Sequence, residues 1–209
     1  MNDQLEKLSI PAVKYEINPD RKLIELSDLF KNVTSFSLEI GFGGGEHLVY
    51  QAERNPNIGF IGCEPYINGV AMLAGKLSKL ELTNVRIHPG DVRDLFDVLP
   101  DDSIDSVFLL YPDPWPKKRH HRRRFVTSEY LIDLQRVMKT GALLKLATDI
   151  PDYVRQSLQE VCKHHFSWTA TDAQDWRECW SDWMPTRYER KALREGRRPY
   201  YLTFEKRES

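Results

Sequence analysis

The segment from residue 35 to residue 54 most constrains what this chain can fold into. It begins with an apolar-rich run at Ser35–Ile40, passes through Gly41-Phe42-Gly43-Gly44-Gly45 and ends in a helix-forming stretch at Glu46–Arg54. A glycine loop between a strand and a helix lets the backbone approach a ligand closely. The segment therefore predicts a strand–loop–helix unit with a ligand site at the carboxyl end of the strand.

The same alternation of strands and helices continues along the chain. Apolar runs predict strands at residues 35–40, 57–63, 85–88, 103–111, 142–147, 167–171 and 200–205. Helical spacing predicts helices at residues 46–54, 67–80, 92–99, 128–138 and 151–164, with Thr140-Gly141 ending the fourth. The pattern predicts an α/β fold: a mainly parallel seven-stranded sheet, helices on both faces and one antiparallel edge strand.

The length and the N-terminal composition predict how the chain is divided. A chain of 209 residues fits one domain with a substantial core. Residues 1–34 contain Pro11 and Pro19 and show no sustained periodicity, which predicts a partly flexible arm. Within this arm we expect a short strand at Val13–Ile17 and a short helix at Lys22–Phe30. The domain proper is predicted at residues 35–209.

Acidic residues recur at or near the ends of the predicted strands. The carboxyl ends of the strands of an open α/β sheet line one crevice, where such proteins bind their ligands. The regular placement of these acids therefore predicts a single acidic crevice. Its predicted members are Glu39, Glu64, Asp91, Asp113 and Asp149.

The spacing of the glycines separates two cofactor classes. A dinucleotide site of the G-x-G-x-x-G type that starts at Gly41 would need a third glycine at position 46, which is Glu46. The observed pattern, E-x-G-x-G-x-G from Glu39 through Gly41 and Gly43 to Gly45, resembles the first motif of Rossmann-like methyltransferases that use S-adenosylmethionine. This cofactor carries a sulfonium and an ammonium group, for which carboxylates are suitable partners. Binding of NAD remains the alternative.

Positive charge is concentrated in two segments. Residues 117–124 carry six basic and no acidic residues, and residues 187–198 carry six basic and two acidic residues. These segments together are therefore +10, whereas the rest of the chain is −11 and the whole chain −1. Such segregation predicts a local site for a polyanion, whereas the alternative is two solvated surface segments.

The remaining composition excludes several classes of protein. No apolar run approaches the ~20 residues that a membrane helix needs, and the first residues lack the features of a secretory signal. The three cysteines are far apart and show no metal-ligand spacing. We therefore expect a reduced cytoplasmic protein without a disulfide, a metal or a membrane partner, as either a monomer or a homodimer.

Several motifs, read together, resemble those of bacterial tRNA (guanine-N7-)-methyltransferases. The resemblance extends from about residue 35 to the C-terminus and implies a Rossmann-like class I methyltransferase fold. Its most specific parts are the Asp-Pro-Trp-Pro turn with the basic run behind it and the later Thr-Arg-Tyr-Glu. The matching segments are EIGFGGGEHL (39–48), GCEP (62–65), GD (90–91), PDPWPKKRHHRRR (112–124), TD (148–149) and PTRYERK (185–191).

Carried over residue by residue, the resemblance implies a role for each motif. S-adenosylmethionine is the implied cofactor and tRNA the implied partner, with methyl transfer to N7 of a guanosine in the variable loop. Asp113 is the implied catalytic residue. Cofactor contacts are implied for Glu39, Gly41, Gly43, Gly45, Glu64, Asp91 and Asp113. Guanosine or tRNA contacts are implied for Lys117, Asp149, Thr186, Arg187, Tyr188 and Glu189, and RNA contacts for Arg119, His120, His121, Arg122, Arg123 and Arg124. The implied tRNA-binding segments are residues 117–124 and 185–198.

Two other functions remain open at this point. Asp113-Pro114-Trp115 is close to the Asp-Pro-Pro-Tyr motif of enzymes that methylate an exocyclic base nitrogen, although Trp115 replaces the second proline. A non-catalytic RNA-binding protein that kept a cofactor fold is the other alternative. Either Asp149 or Glu189 is suited to accept hydrogen bonds from the Watson–Crick edge of guanine.

Overall fold

The strands of the computed structural model, which describes residues 23–208, form a single sheet. They are β1 (Ser35–Ile40), β2 (Ile58–Cys63), β3 (Val85–His88), β4 (Ile104–Leu110), β5 (Met138–Thr148), β6 (Phe166–Trp168) and β7 (Tyr200–Lys206). Their order across the sheet is β3-β2-β1-β4-β5-β7-β6. Strands β1 to β5 are parallel, and β7 is antiparallel to both β5 and β6. The predicted mixed seven-stranded sheet is confirmed, with the reversed strand second from the edge.

The helices connect these strands. They are α1 (Leu26–Leu29), α2 (Glu46–Arg54), α3 (Ile67–Leu80), α4 (Val92–Phe96), α5 (Ser128–Val137), α6 (Pro151–Val161), α7 (Gln174–Arg177) and α8 (Arg187–Arg194), with a 3₁₀ helix at Lys118–Arg123. The bounds predicted for β1, β3, α2 and α3 are confirmed to the residue. The other elements predicted within the described residues are present with ends that differ by a few residues.

Apolar side chains cover both faces of the sheet. In β2, the neighbouring residues Phe60 and Ile61 point to opposite faces, as successive strand residues must. Phe60 packs in one cluster with α2 and α3, whereas Ile61 packs in another with α1, α5 and α6. The uninterrupted apolar character of the central strands follows from this burial on both sides.

The end predicted for the helix before β5 is wrong. We expected Thr140-Gly141 to stop it, but α5 ends at Val137 and β5 begins at the next residue, Met138. Gly141 instead lies inside β5 with φ +81°, where the register between β4 and β5 shifts. A glycine with positive φ is typical of such a bulge in a strand.

The first described residues contact the core, while the predicted division of the chain after residue 34 stays a prediction. Leu26 and Phe30 are buried in the main core cluster, so the described part of the predicted arm packs on the sheet. The strand predicted at Val13–Ile17 lies outside the described residues.

The strand order determines where a ligand-binding crevice opens. Consecutive connections run from β1 outward to β2 and β3 and then return across the sheet to β4. The direction of winding therefore reverses between β1 and β4, and a crevice opens there at the carboxyl ends of the strands.

Candidate active site

A cavity of about 870 Å³ occupies this crevice. Its wall is formed by the glycine loop after β1, the ends of β2, β3 and β4, the turn that follows β4, part of the 3₁₀ helix and the start of α8. Three of the five predicted acids, Glu64, Asp91 and Asp113, line it. The structure thus brings the cofactor motifs and part of both basic segments to one place.

The glycine loop has a backbone that other residues adopt only with strain. Gly41, Gly43 and Gly45 have φ of +70°, +57° and +72°, in the left-handed region that glycine tolerates best. Gly45 is the N-cap of α2, and its N–H donates to the carbonyl of Phe42 at 2.8 Å. The loop is therefore a tight turn that leaves Gly41 and Gly43 on the cavity wall.

Glu64 is held in place by the backbone. Its Oε2 accepts from the N–H of Gly43 at 2.9 Å, and its Oε1 accepts from the N–H of Tyr66 at 2.8 Å. The side chain is buried at the end of β2 but still borders the cavity. Each carboxylate oxygen has a second lone pair, so both oxygens can also accept from a ligand.

Asp91 caps α4 and pairs with an arginine that the sequence did not single out. Its Oδ1 accepts from the backbone N–H of Arg93, and its two oxygens lie 3.0 and 2.9 Å from Nε and Nη2 of Arg93. Partial burial opposes ionisation, but the hydrogen bonds and charge of Arg93 hold the pKa of Asp91 below its usual value. Arg93 and the neighbouring Tyr130 also line the cavity.

The turn after β4 presents Asp113. Tyr111 and Trp115 flank it with φ of +51° and +39°, which is strained for bulky residues. Asp113 is exposed on the cavity wall and makes no hydrogen bond or ion pair within residues 23–208. Its carboxylate is therefore free to accept from a ligand.

Glu39 lies beneath the glycine loop. It is 3% exposed, is not among the residues lining the cavity and accepts from His47 Nδ1 at 2.8 Å. The Nε2 of His47 lies 3.3 Å from Gln51 Nε2, which also donates to the carbonyl of Asp182. Because an amide nitrogen only donates, His47 carries its proton on Nδ1. The buried pair ties β1 to α2 across the loop, and direct contact of Glu39 with a cofactor stays a prediction.

The basic run splits into different environments. Arg122 and Arg123 are exposed and line the cavity, and Arg123 lies 4.9 Å from the centre of the Trp115 ring. Lys117 and Arg119 are exposed, whereas His120 and His121 are half-buried.

Arg124 differs from the other basic residues of this run. Its side chain is 1% exposed, and its guanidinium hydrogen-bonds to groups of the protein interior. The RNA contact implied for Arg124 stays a prediction.

The Thr-Arg-Tyr-Glu motif forms the start of α8, and its members divide in the same way. Arg187 and Tyr188 are exposed and line the cavity, where the Tyr188 ring lies over Gly43. Thr186 is the buried N-cap, and its Oγ1 accepts from the N–H of Glu189 at 3.2 Å. The guanosine or tRNA contact implied for Thr186 stays a prediction.

Glu189 is buried in an aromatic cluster under α8. It is 4% exposed; its Oε2 accepts from Trp183 Nε1 at 2.7 Å and its Oε1 from the Tyr201 hydroxyl at 2.8 Å. Burial and the adjacent carboxylate raise the pKa of Tyr201, which remains a neutral donor. Both carboxylate oxygens of Glu189 thus accept hydrogen bonds inside the domain, and its contact with a guanine edge stays a prediction.

Asp149 follows β5 and is separate from the cavity lining. Its Oδ2 accepts from Nε of Arg197, which belongs to the second basic segment. Asp149 is thus ion-paired with an arginine through one carboxylate oxygen. A substrate contact by Asp149 stays a prediction.

Sequence reasoning missed Arg93, Tyr66 and Tyr130 as cavity residues. Arg93 had a signal, because it lies two residues after a predicted strand-end acid. Within the described residues no cluster of His, Cys, Asp or Glu has the arrangement of a metal site. None of the helices in that same part of the chain is both long and apolar enough to cross a bilayer.

Comparisons with known proteins agree with this geometry. A family model described as "Putative methyltransferase" matches residues 34–202. The tRNA (guanine-N(7)-)-methyltransferase of Roseobacter denitrificans is 61% identical over 204 residues, which cover 98% of this chain and 87% of the relative. The enzyme of that name from Ruegeria pomeroyi is 61% identical over 208 residues, which cover 100% of this chain and 87% of the relative. The one from Agrobacterium fabrum is 47% identical over 208 residues, which cover 98% of this chain and 88% of the relative.

Solved structures show the same fold at low identity. The 16S rRNA methyltransferase KamB superposes with a TM-score of 0.65 at 15% identity, covering 96% of this chain and 99% of that one. An antibiotic-related methyltransferase gives a TM-score of 0.60 at 17% identity, with 94% and 98% covered. The predicted Rossmann-like class I methyltransferase fold is confirmed. With the family model and the nearly full-length relatives, the chain belongs to the tRNA (guanine-N(7)-)-methyltransferase family.

Proposed function

We propose that this protein transfers the methyl group of S-adenosylmethionine to N7 of a guanosine in the variable loop of tRNA, giving N7-methylguanosine. Family membership supports the reaction. The observation that carries it is the position of Asp113. This free carboxylate stands on a cavity wall that meets the glycine loop on one side and exposed arginines on the other. The predicted compartment is the cytoplasm, where tRNA is found.

The cavity fits the methyl donor chemically. Gly41 and Gly43 offer close backbone approach, and an added Cβ at Gly41 would meet no atom within 4 Å. Glu64 is placed to accept from ribose hydroxyls and Asp91 from the adenine amino group. Asp113 would face the charged end of the cofactor. Bound there, S-adenosylmethionine supplies an electrophilic methyl group on a sulfonium.

The protein needs no general base for this reaction. Guanine N7 has an in-plane lone pair and carries no proton, so methyl transfer releases none from the base. The chain's task is to align the base with the methyl group, which contributes up to ~7–11 kcal/mol in favourable cases. The Asp113 carboxylate stabilises positive charge before and after transfer. His120 and His121 are therefore assigned to RNA contact rather than proton transfer.

The substrate side of the cavity is assigned to both basic segments, residues 117–124 and 185–198. Lys117, Arg122 and Arg123 would hold phosphates beside the reacting base, with Arg119 further out. Arg187 and Tyr188 close the cavity from α8, and we assign them to the guanosine or its neighbours. Asp149 and Glu189 are the two candidates for the guanine edge.

Incubation with labelled S-adenosylmethionine and tRNA that lacks native modification tests the function. We expect label at one guanosine, mapped by mass spectrometry and by strand cleavage specific for N7-methylguanosine. Label on N1, N2 or N6 would favour an amino-methyltransferase. Absence of transfer despite tRNA binding would favour a non-catalytic RNA-binding protein.

Replacing Asp113 tests its role in the reaction. We expect Asp113→Ala to abolish transfer while tRNA affinity stays within a few fold, because the residue faces the cofactor and not the phosphates. Asp101→Ala is the matched control, since Asp101 lies before the same strand and is 70% exposed. Unchanged turnover in Asp113→Ala would remove Asp113 from the mechanism.

A further inference from the structure

Arg124 is bound from several sides by the interior of the domain. Its Nε donates to the carbonyl of Pro114 at 2.8 Å, and Nη2 lies 3.5 Å from the carbonyl of Trp115. Its Nη1 donates to Gln156 Oε1 at 2.8 Å, and Nη2 pairs with Asp152 at 3.0 Å. The guanidinium therefore joins the turn after β4 to two residues of α6.

The turn that Arg124 touches has little other support. Tyr111 and Trp115 adopt positive φ, a strain that persists only where the surroundings hold it. Three prolines in the turn lack an N–H donor. Within residues 23–208, the residues at 112, 113 and 116 make no hydrogen bond. Besides the Tyr111 N–H, which donates to the carbonyl of Ala147 at 2.7 Å, the two carbonyls bound by Arg124 anchor the turn to the domain body.

The partners of Arg124 are themselves fixed. Gln156 Nε2 donates to the carbonyl of Val126 at 2.7 Å, which orients its Oε1 toward the guanidinium. The hydrogen bond and charge of Arg124 hold the pKa of Asp152 below its usual value. The guanidinium also lies 5.2 Å from the ring centre of the buried Tyr153. Helix α6 thus provides a preformed binding site for the planar guanidinium group.

We propose that Arg124 is a positioning residue for methyl transfer, which fixes Asp113 by holding the Pro114 and Trp115 carbonyls against α6. This rests on the proposed function, in which Asp113 borders the reacting groups. Only arginine fits the role, because its rigid fork serves carbonyls and a carboxylate in one plane. A lysine ammonium is a single point and cannot reach all four partners.

Arg124→Lys tests the proposal with the charge retained. We expect kcat to fall about 10–100-fold, as for a displacement of catalytic groups by ~1 Å. The tRNA dissociation constant and its salt dependence should stay within about 3-fold of wild type. Gln156→Met removes the hydrogen bond between Gln156 and Arg124 and should lower kcat by a smaller factor. It provides a second variant if Arg124→Lys folds poorly.

Arg136→Lys is the matched control. Arg136 also donates to backbone carbonyls, those of Leu99 and Phe96, but away from the cavity. Arg136→Lys should lower the free energy of unfolding without changing kcat of the folded protein. Backbone hydrogen exchange gives a readout independent of activity. Arg124→Lys should speed exchange at the Tyr111 amide, which donates to the carbonyl of Ala147 at the start of the turn, and Arg136→Lys should not.

Each outcome decides the proposal. Unchanged kcat and exchange in folded Arg124→Lys would overturn it. A weaker tRNA affinity and a lower salt dependence at unchanged kcat would also overturn it, because Arg124 would then be an RNA contact. If the wild-type protein transferred no methyl group, the proposed function would fail, and exchange at the turn would decide the anchoring on its own.

Discussion

Gly69, the third residue of α3, packs closely against the glycine loop. An added Cβ at this position would lie 2.2 Å from the Gly43 carbonyl oxygen and 3.1 Å from Glu64 Cγ. The first contact is with backbone and cannot be relieved by a rotamer change. In Gly69→Ala the helix and the loop must therefore separate until this gap exceeds 3.0 Å.

The size of this displacement sets the expected effect. Forcing a methyl group into a packed site typically costs about 1–3 kcal/mol, and the better helix propensity of alanine offsets about 1 kcal/mol of this. We expect a net loss of roughly 0.5–2 kcal/mol in the free energy of unfolding. Because Gly43 N–H donates to Glu64, the same shift disturbs the ribose site. We therefore expect S-adenosylmethionine to bind about tenfold more weakly, equivalent to ~1.4 kcal/mol.

Gly75→Ala in the same helix is the matched control. No atom lies within 4 Å of a Cβ built there, and the residue is exposed. Urea unfolding should show it more stable than wild type by about 0.4–1 kcal/mol, with unchanged cofactor affinity by calorimetry. If Gly69→Ala matched Gly75→Ala in both measurements, the contact between α3 and the loop would not shape the cofactor site.

Two further predictions separate RNA contacts from internal supports. Replacing Arg122 and Arg123 by glutamine should weaken tRNA binding and lower the slope of log K against log salt by ~0.7–0.9 per lost phosphate contact; an unchanged slope in filter binding would make both arginines passive. Glu189→Gln should reduce the stability by about 1–2 kcal/mol, since charged hydrogen bonds to Trp183 and Tyr201 become neutral ones. Scanning calorimetry should then show a Tm lower by about 2–8 °C, whereas an unchanged Tm with reduced kcat/KM would support the guanine-reading role.

The fold was predictable because its signals are local. Strand and helix periods differ, so β1 and α2 could be bounded from their residues alone. The carboxyl ends of parallel strands share one edge of the sheet, which brought Glu64, Asp91 and Asp113 together without knowledge of the packing. The boundary at Met138 was missed because a glycine in a strand bulge and a glycine after a helix look alike in sequence.

The internal partners of the site were not predictable in the same way. Glu189 is buried because Trp183 and Tyr201 place donors against both of its oxygens, and Tyr201 comes from a strand on the far side of a loop. A single sequence shows the acid but not the donors around it. A motif position thus indicates that a residue matters without showing whether it contacts the ligand or supports its neighbours.

The helical geometry of the basic run separates residues that can contact a ligand from residues that support the protein interior. The segment Lys118–Arg123 is a 3₁₀ helix, in which residues three apart lie on the same side. His121 and Arg124 are three apart, and both lie within 3.5 Å of Asp152. On this face Arg124 is buried against the domain, His121 is half-buried and Lys118 is exposed.

The other two faces of that helix point outward. His120 and Arg123, again three apart, both lie beside the Trp115 ring, at 5.9 and 4.9 Å. Arg119 and Arg122 make up the last face and are exposed. A continuous run of cations on a threefold helix cannot present all of its charges to RNA while one side packs on a protein. We therefore expect phosphate contacts from the exposed residues of this run, and we assign Arg124 to holding the turn that carries Asp113.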